Sequence, residues 1–323
     1  NALAAFASSV PASGSGYEIS FRPDSSLYDG RYANVGWLQE LPKQGTNLSW
    51  DNAALMSMGT MADLKVEETD VIELELNGRK VKAPVLMVPG HPDGAITIHL
   101  GFGRKVEAGR VGAGVGFDAY QLRTASAPYY QGGATAKKVG SDYDLCVTKV
   151  HNIEHRGGFA QHDLEHKKYD TEGTFSLAGH EAMERSIIRY ATVDEVEKNP
   201  DFAHEGGASG TLIGKVGYSP QGENPKTGYS PHLEHPGKDL TFFPDNWKYD
   251  KIDPATLKVQ NAWGMAIDLN SCIGCNACIV SCYAENNIPV VGREQVKISR
   301  IMQWIRVDTY FEGDLHAPKA HFQ

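Results

Sequence analysis

Of the five cysteines in this 323-residue chain, four fall within eleven residues, in the run CIGCNACIVSC. Cys272, Cys275, Cys278 and Cys282 have the spacing C-x2-C-x2-C-x3-C, by which bacterial-type ferredoxins ligate cubane iron–sulfur clusters. The first three cysteines fit a tight loop that brings three sulfurs to three corners of one cube, with Gly274 leaving room for the backbone to approach. Small residues such as Ala277 and Ser281 let amide N–H groups turn toward the cluster. The fourth cysteine stands one residue further out, at the start of a helical turn, and in two-cluster ferredoxins that position serves the other cluster. Tyr283 follows it, where such runs usually carry proline.

Other sulfur chemistries fit less well. A structural zinc site uses two separated C-x2-C knuckles, or cysteines with histidines at finger spacing. A disulfide framework scatters its cysteines through a small secreted domain. Attachment of a c-type haem needs histidine directly after C-x-x-C, and neither Cys275 nor Cys278 is followed by one. Two clusters would need more thiolates than Cys146 can add, so the reading expects a piece of a longer polypeptide. The opening Asn1 and the lack of a second cysteine block before Gln323 suit that expectation.

The elements that must position this block begin far upstream. Residues 53 to 64 read as a short amphipathic helix capped by Asp51 or Asn52. VIELELNGRKVKAPVLMV, residues 71 to 88, alternates apolar and charged residues on both sides of Asn77-Gly78, a strong hairpin signal. AITIHL (95 to 100) is a further strand, set off by Pro-Asp-Gly. Together these predict a compact β-barrel or sandwich with a small helix. The glycine-rich stretch 101 to 123 fails as a dinucleotide fingerprint, having neither strand-then-helix context nor a ribose-binding acid. It reads as a surface loop, or as backbone packed near a flat cofactor site.

Five of the twelve histidines lie between His151 and His180, two pairs of them at i,i+4 spacing. Gly157 and Gly158 interrupt any helix there, so solvated histidines are expected rather than a metal site. Cys146 reads as a small buried hydrophobe. Residues 200 to 260 are poor in apolar residues and rich in glycine and proline, an extended connector. WGMAIDL (263 to 269) and MQWIRVDTYF (302 to 311) read as strands flanking the cysteine loop, one half of a ferredoxin-like module. A net charge of −9 excludes nucleic acid as a natural partner. No apolar run reaches the length that spans a bilayer. The opening NALAAFASSVPASGSG lacks the basic start of a signal peptide.

The blocks YDGRYANVGWLQELP (28 to 42), TNLSWDNAALMS (46 to 57), GRVGAGVGFDAYQLR and WGMAIDLNSCIGCNACIVSCYAENNIPVVGREQV (263 to 296) resemble the large iron–sulfur subunit of bacterial alternative complex III. That complex is a quinol:electron-acceptor oxidoreductase whose large subunit fuses a molybdopterin-oxidoreductase-like half to a ferredoxin-like half. The resemblance implies an α+β, β-rich chain. Residues 1–199 would be the end of the first half, with a barrel like the molybdopterin-dinucleotide-binding domain. Residues 200–260 would be the connector, and 261–323 the start of the 4Fe-4S domain. It implies that Cys272, Cys275 and Cys278 hold one 4Fe-4S cluster and Cys282 reaches another, with a 3Fe-4S cluster elsewhere in the complete subunit and no molybdopterin bound. It implies as partners an integral membrane quinol-binding subunit, c-type cytochrome subunits and the remaining ferredoxin-like part of the same polypeptide, on the periplasmic face. This chain would then relay electrons without substrate chemistry of its own. The alternative is a molybdopterin-dependent oxidoreductase acting on a small substrate.

Overall fold

The structure, a computed structural model, describes residues 15–148, 191–200, 265–312 and 316–322. The chain divides into two compact units, one of residues 1–183 with 273–323, the other of residues 184–272. The His151–His180 histidines and the connector 201–260 lie outside the described residues.

The first unit is α+β, built on a closed barrel of six strands. They are β1 (Tyr17–Arg22), β2 (Ala54–Met56), β3 (Val71–Leu76), β4 (Arg79–Met87), β5 (Ala95–His99) and β6 (Tyr130–Gly140), joined around the barrel in the order β1-β5-β2-β4-β3-β6. The β3–β4 hairpin forms in the expected register, from Val71 opposite Pro84 to Leu76 opposite Arg79. Asn77 and Gly78 both take positive φ, 52° and 74°, as a two-residue turn matched to strand twist demands. Period-2 alternation does the rest. Ile72, Leu74 and Leu76 point into the barrel and are buried, while Glu73 points out and is shared by Lys80 and Lys137, each at 3.1 Å. The barrel core is completed by Ile19, Phe21, Met56, Val85, Met87, Ile96 and Ile98.

Two local expectations are corrected. The helix expected over 53 to 64 is α2, Met58–Leu64, and its cap is Ser57, whose hydroxyl accepts from Thr60 N at 3.0 Å. Residues 54–56 become β2 instead, because a gap between β4 and β5 takes up their three buried side chains as a strand. Asp51 and Asn52 are thereby released from capping. Asn52 pins the glycine-rich segment, donating to His99 O and Phe117 O at 3.0 Å and accepting from Phe117 N at 2.9 Å.

That segment is irregular backbone with two single 3-10 turns, folded tightly over the barrel end. Gly103 (φ +70°) and Gly116 (φ +64°) mark two close approaches. An added Cβ would stand 2.4 Å from Asp118 N in one case and 2.3 Å from Asn52 Oδ1 in the other. Beneath it, Lys43 and Asp24 form a buried ion pair at 3.2 Å, with the ammonium 5.7 Å from the centre of the Phe102 ring.

In the second unit, α3 (Val193–Lys198) opens on a complete capping box between Thr192 and Glu195. Residues 265–269 do not form the expected strand. Asp268 folds back to accept from Asn270 N (3.0 Å) and Ser271 Oγ (2.7 Å), making a turn, and Met265, Ile267 and Leu269 are exposed instead of covered by a sheet.

Candidate iron–sulfur site

Cys275, Cys278 and Cys282 sit at the start and along one face of α4 (Ala277–Asn286), while Cys272 closes the second unit. Gly274 and Asn276 take positive φ, 67° and 59°, so the chain turns left-handed on either side of Cys275 before the helix begins. At Gly274 the turn has no space for a side chain, because a Cβ would meet the Phe322 ring at 2.4 Å. Helix α4 ends at Asn287, again left-handed (φ 48°), whose N–H returns to Tyr283 O.

The helix has an inner and an outer side. Ile279 and Tyr283 are buried against Leu41 and Ile288, with Trp37, Leu38, Ile305 and Val307 packed around them. Cys275 and Cys278 are exposed and Cys282 is half-buried. Ser281 hydrogen-bonds along the helix to Ala277 O at 2.9 Å. Asn286, one turn beyond Cys282, donates to the Cys282 carbonyl (3.2 Å) and lies 3.6 Å from its sulfur. The i,i+4 spacing of Cys282 and Asn286 was visible in the sequence, but asparagine near a helix end is common and gave no reason to single it out.

Around this helix the first unit closes like a clamp. Its jaw is residues 36–51, which include α1 (Gly36–Glu40). Asn276 Nδ2 donates to Pro42 O at 2.6 Å, Gln44 donates to Ile273 O, and Trp37 Nε1 donates to Ile288 O at 2.6 Å. Asn47 Nδ2 donates to Asp308 Oδ1 at 2.6 Å. Glu40, only 3% exposed, accepts from Trp50 Nε1 (3.0 Å), Val291 N (3.1 Å) and Gly292 N (2.8 Å). Arg293 opens α5 (Arg293–Lys297) and reaches Asp51 at 2.9 Å and Asp144 O at 2.7 Å, and Tyr143 donates to the same Asp51 carboxylate. Burial holds the Asp51 carboxyl above its ordinary range, against the opposing pull of Arg293.

Cys146 packs with Trp50 and Val296 in this clamp, and burial pushes its thiol up to about 12. It is buried, as expected. Burial also raises the Tyr283 hydroxyl above the phenol range; Gln303 beside it pulls the other way, and Glu40 and Cys282 add to the rise. The strand expected over 302 to 311 starts only at Thr309, as β7 (Thr309–Glu312) paired with β8 (Lys319–Phe322). Ile305 and Val307 pack against the α4 cluster without strand pairing.

The four thiols suit a cubane iron–sulfur group in their chemistry. The five cysteines carry no disulfide among the described residues, and left-handed turns curl the chain around Cys275. Among the described residues no group of three or more His, Cys, Asp or Glu side chains is gathered to hold a metal ion. A second feature is a polar cleft of ≈ 390 Å³ where the glycine-rich segment meets Asp29, with Arg104 and Tyr120 both donating to Asp29 O on its wall.

The described residues thus form an α+β fold with a closed six-stranded barrel, whose segment 36–51 packs against a cysteine-bearing helix. No family model matches it. A stretch of 26 residues, 8% of the chain, is 69% identical to the menaquinone reductase iron–sulfur cluster-binding subunit of Nitratidesulfovibrio vulgaris. The chain spans about a tenth of that relative's length, 10%. Acetylene hydratase from Pelobacter acetylenicus aligns over 38% of this chain and 18% of its own at 18% identity, with a TM-score of 0.30. The chain therefore bears a partial resemblance to an iron–sulfur-cluster-binding oxidoreductase subunit.

Proposed function

We propose that this chain is the electron-transfer subunit of a membrane quinol:electron-acceptor oxidoreductase of the alternative complex III type. The observation that carries the reading is the C-x2-C-x2-C-x3-C run, in which Cys275 and Cys278 are exposed at the start of a docked helix. Cys272, Cys275 and Cys278 would hold one 4Fe-4S cluster, and Cys282 would reach a neighbouring one. Such a group supplies one-electron transfer at a potential set by hydrogen bonds to its sulfurs and by exclusion of solvent. The chain's own part is positional. The clamp 36–51 holds α4, Asn286 lies against the Cys282 sulfur, and Trp37, Leu38, Leu41, Ile288, Ile305 and Val307 cover the inner side of the helix. The short match to the menaquinone reductase subunit supports a role beside a quinone-reactive partner.

Among the described residues no helix is long and apolar enough to cross a membrane. In this proposal the quinol site belongs to an integral partner, electrons leave toward c-type haems, and the chain is peripheral on the periplasmic face. The test starts from native membranes, washed first with high salt and then with detergent, following this polypeptide. Co-purification with a multi-span subunit and c-type haem proteins, carrying iron and acid-labile sulfide, is the expected result. The Cys275→Ala protein should lose one cluster's electron paramagnetic resonance (EPR) signal. Recovery as a soluble monomer active by itself on a small substrate, or iron and sulfide unchanged by Cys275→Ala, would overturn the proposal.

A further inference from the structure

Residues 28–35 and 104–111 are distant in the chain and lie side by side in the first unit. Arg104 Nη2 donates to Asp29 O at 3.0 Å, and Val111 N donates to Asn34 Oδ1 at 2.9 Å. Between these ties there is no room for further side chains. A Cβ on Gly109 would stand 2.3 Å from the Asn34 side chain, and one on Gly112 2.6 Å from Ala33 O. The polar cleft adjoins both segments, since Asp29 and Arg104 line it.

The outward side of this pair of segments mixes aromatic, apolar and basic groups. Tyr28 and Tyr32 are 50% and 47% exposed, and Val106 is 61% exposed. Arg31, Lys105 and Arg110 are exposed among them. The two segments hold four cations, Arg31, Arg104, Lys105 and Arg110, against two acids, Asp29 and Glu107, in a chain whose net charge is −9. Arg31 is set in place. Its Nε and Nη2 reach the two Asp29 oxygens at 3.0 and 2.8 Å, and its guanidinium lies 5.0 Å from the centre of the Tyr28 ring. The side chains of Lys105 and Arg110 make no ion pair among the described residues. Tyrosine and pre-set arginine are residue types that anchor protein–protein contacts, because they bury area at little cost in lost freedom. A membrane surface asks only for mobile cations and gains nothing from a fixed guanidinium fork.

We infer that the face formed by residues 28–35 and 104–111 is a docking surface for an acidic segment of another polypeptide. Tyr28, Tyr32 and Val106 supply its apolar contacts, and Lys105 and Arg110 supply its cations. The inference goes beyond the iron–sulfur reading and does not depend on it. Charge complementarity sets the sign of the partner, since Lys105 and Arg110 turn a basic surface away. Two copies of this chain, each at −9, repel one another, so the partner is a different protein.

The test treats freshly broken cells with a water-soluble carbodiimide, which joins an amine directly to a carboxylate that it already touches. Mass spectrometry then maps the linked peptides. Lys105 should be found joined to an Asp or Glu of a different polypeptide. In Arg110→Glu that link should fall several-fold, whereas Arg110→Lys, which keeps the charge, should retain it. Raising the salt from about 0.1 M to about 1 M shortens the screening length from about 10 Å to about 3 Å, and should weaken the link in the unsubstituted protein. Lys105 left unlinked, linked only within its own chain, or linked with equal yield in Arg110→Glu would overturn the inference. So would a link between heavy-isotope and light-isotope copies of this chain, which would make the face a contact between copies. Release of Arg110→Glu, but not of the unsubstituted protein, from phosphatidylglycerol vesicles, with Lys105 unlinked, would assign the face to anionic lipid and overturn it as well.

Discussion

Replacing Arg293 by methionine should loosen the segment that follows the cysteine helix from the barrel. The guanidinium is 25% exposed and its partner Asp51 fully buried, at 2.9 Å. Removing one member of a buried pair costs about 3–5 kcal/mol when the other charge is stranded. Here Asp51 keeps the Tyr143 hydroxyl at 3.1 Å and Asn52 N at 3.2 Å, so part of its solvation survives. Arg293 also gives up its bond to Asp144 O and its place over the Tyr143 ring, 5.5 Å away. Together these set the loss at roughly 2–3 kcal/mol, below the upper end for a stranded charge. With a urea slope of about 2 kcal/mol per molar, the midpoint falls by about 1 M. Hydrogen exchange of residues 288–300 should rise with it, locating the loss in the clamp. The pH dependence gives a second reading. Burial already holds the Asp51 carboxyl above its ordinary value of 3.8, and loss of Arg293 raises it further. A carboxyl with a raised folded pKa binds more protons folded than unfolded, so stability falls as pH rises through that window. The deficit of Arg293→Met relative to the unsubstituted protein should be smallest below pH 3.8 and widen toward neutrality. A deficit under about 0.5 kcal/mol, the range of an ordinary surface substitution, would refute the reasoning, and so would one equal at every pH.

Gly274→Ala puts a Cβ 2.4 Å from the Phe322 ring at φ +67°, and strain of about 1–3 kcal/mol should appear as faster exchange in 273–287 and 316–322, against an unchanged pattern if the turn can relax. In iron-depleted protein at pH 8, iodoacetamide should label the exposed Cys275 and Cys278 and spare Cys146, whose buried thiol is pushed up to about 12; peptide mass mapping that found Cys146 labelled as fast would contradict its burial. Elemental analysis of the native complex should find no molybdenum, whereas about one atom per complex would promote a molybdopterin enzyme over an electron relay, since such chemistry belongs to the cofactor.

The cysteine spacing, the β3–β4 hairpin and the buried Cys146 were legible in the sequence because each rests on local physics. A loop of a few residues limits where four sulfurs can go, alternation assigns Ile72, Leu74 and Leu76 to one face, and Asn-Gly meets the two positive φ values of its turn. The same alternation misled at 265 to 269 and at 302 to 308, where apolar residues recur at strand spacing without strand pairing among the described residues. The cap of α2 moved to Ser57 for the matching reason: β4 and β5 take residues 54–56 into the barrel, and neither partner is adjacent in the chain.

Glu40 was silent in the sequence, and Asp51 read only as a candidate helix cap, a part that Ser57 takes. Their meaning comes from Val291, Gly292 and Arg293, some 242 to 252 positions away. The sequence by itself determined which atoms are available for electron-transfer chemistry and how closely four of them are tethered. Only the tertiary structure decided which side of the cysteine helix faces protein, and which distant side chains tie down the segment after it. Contacts between residues so far apart depend on the fold bringing distant segments together, which no local pattern encodes.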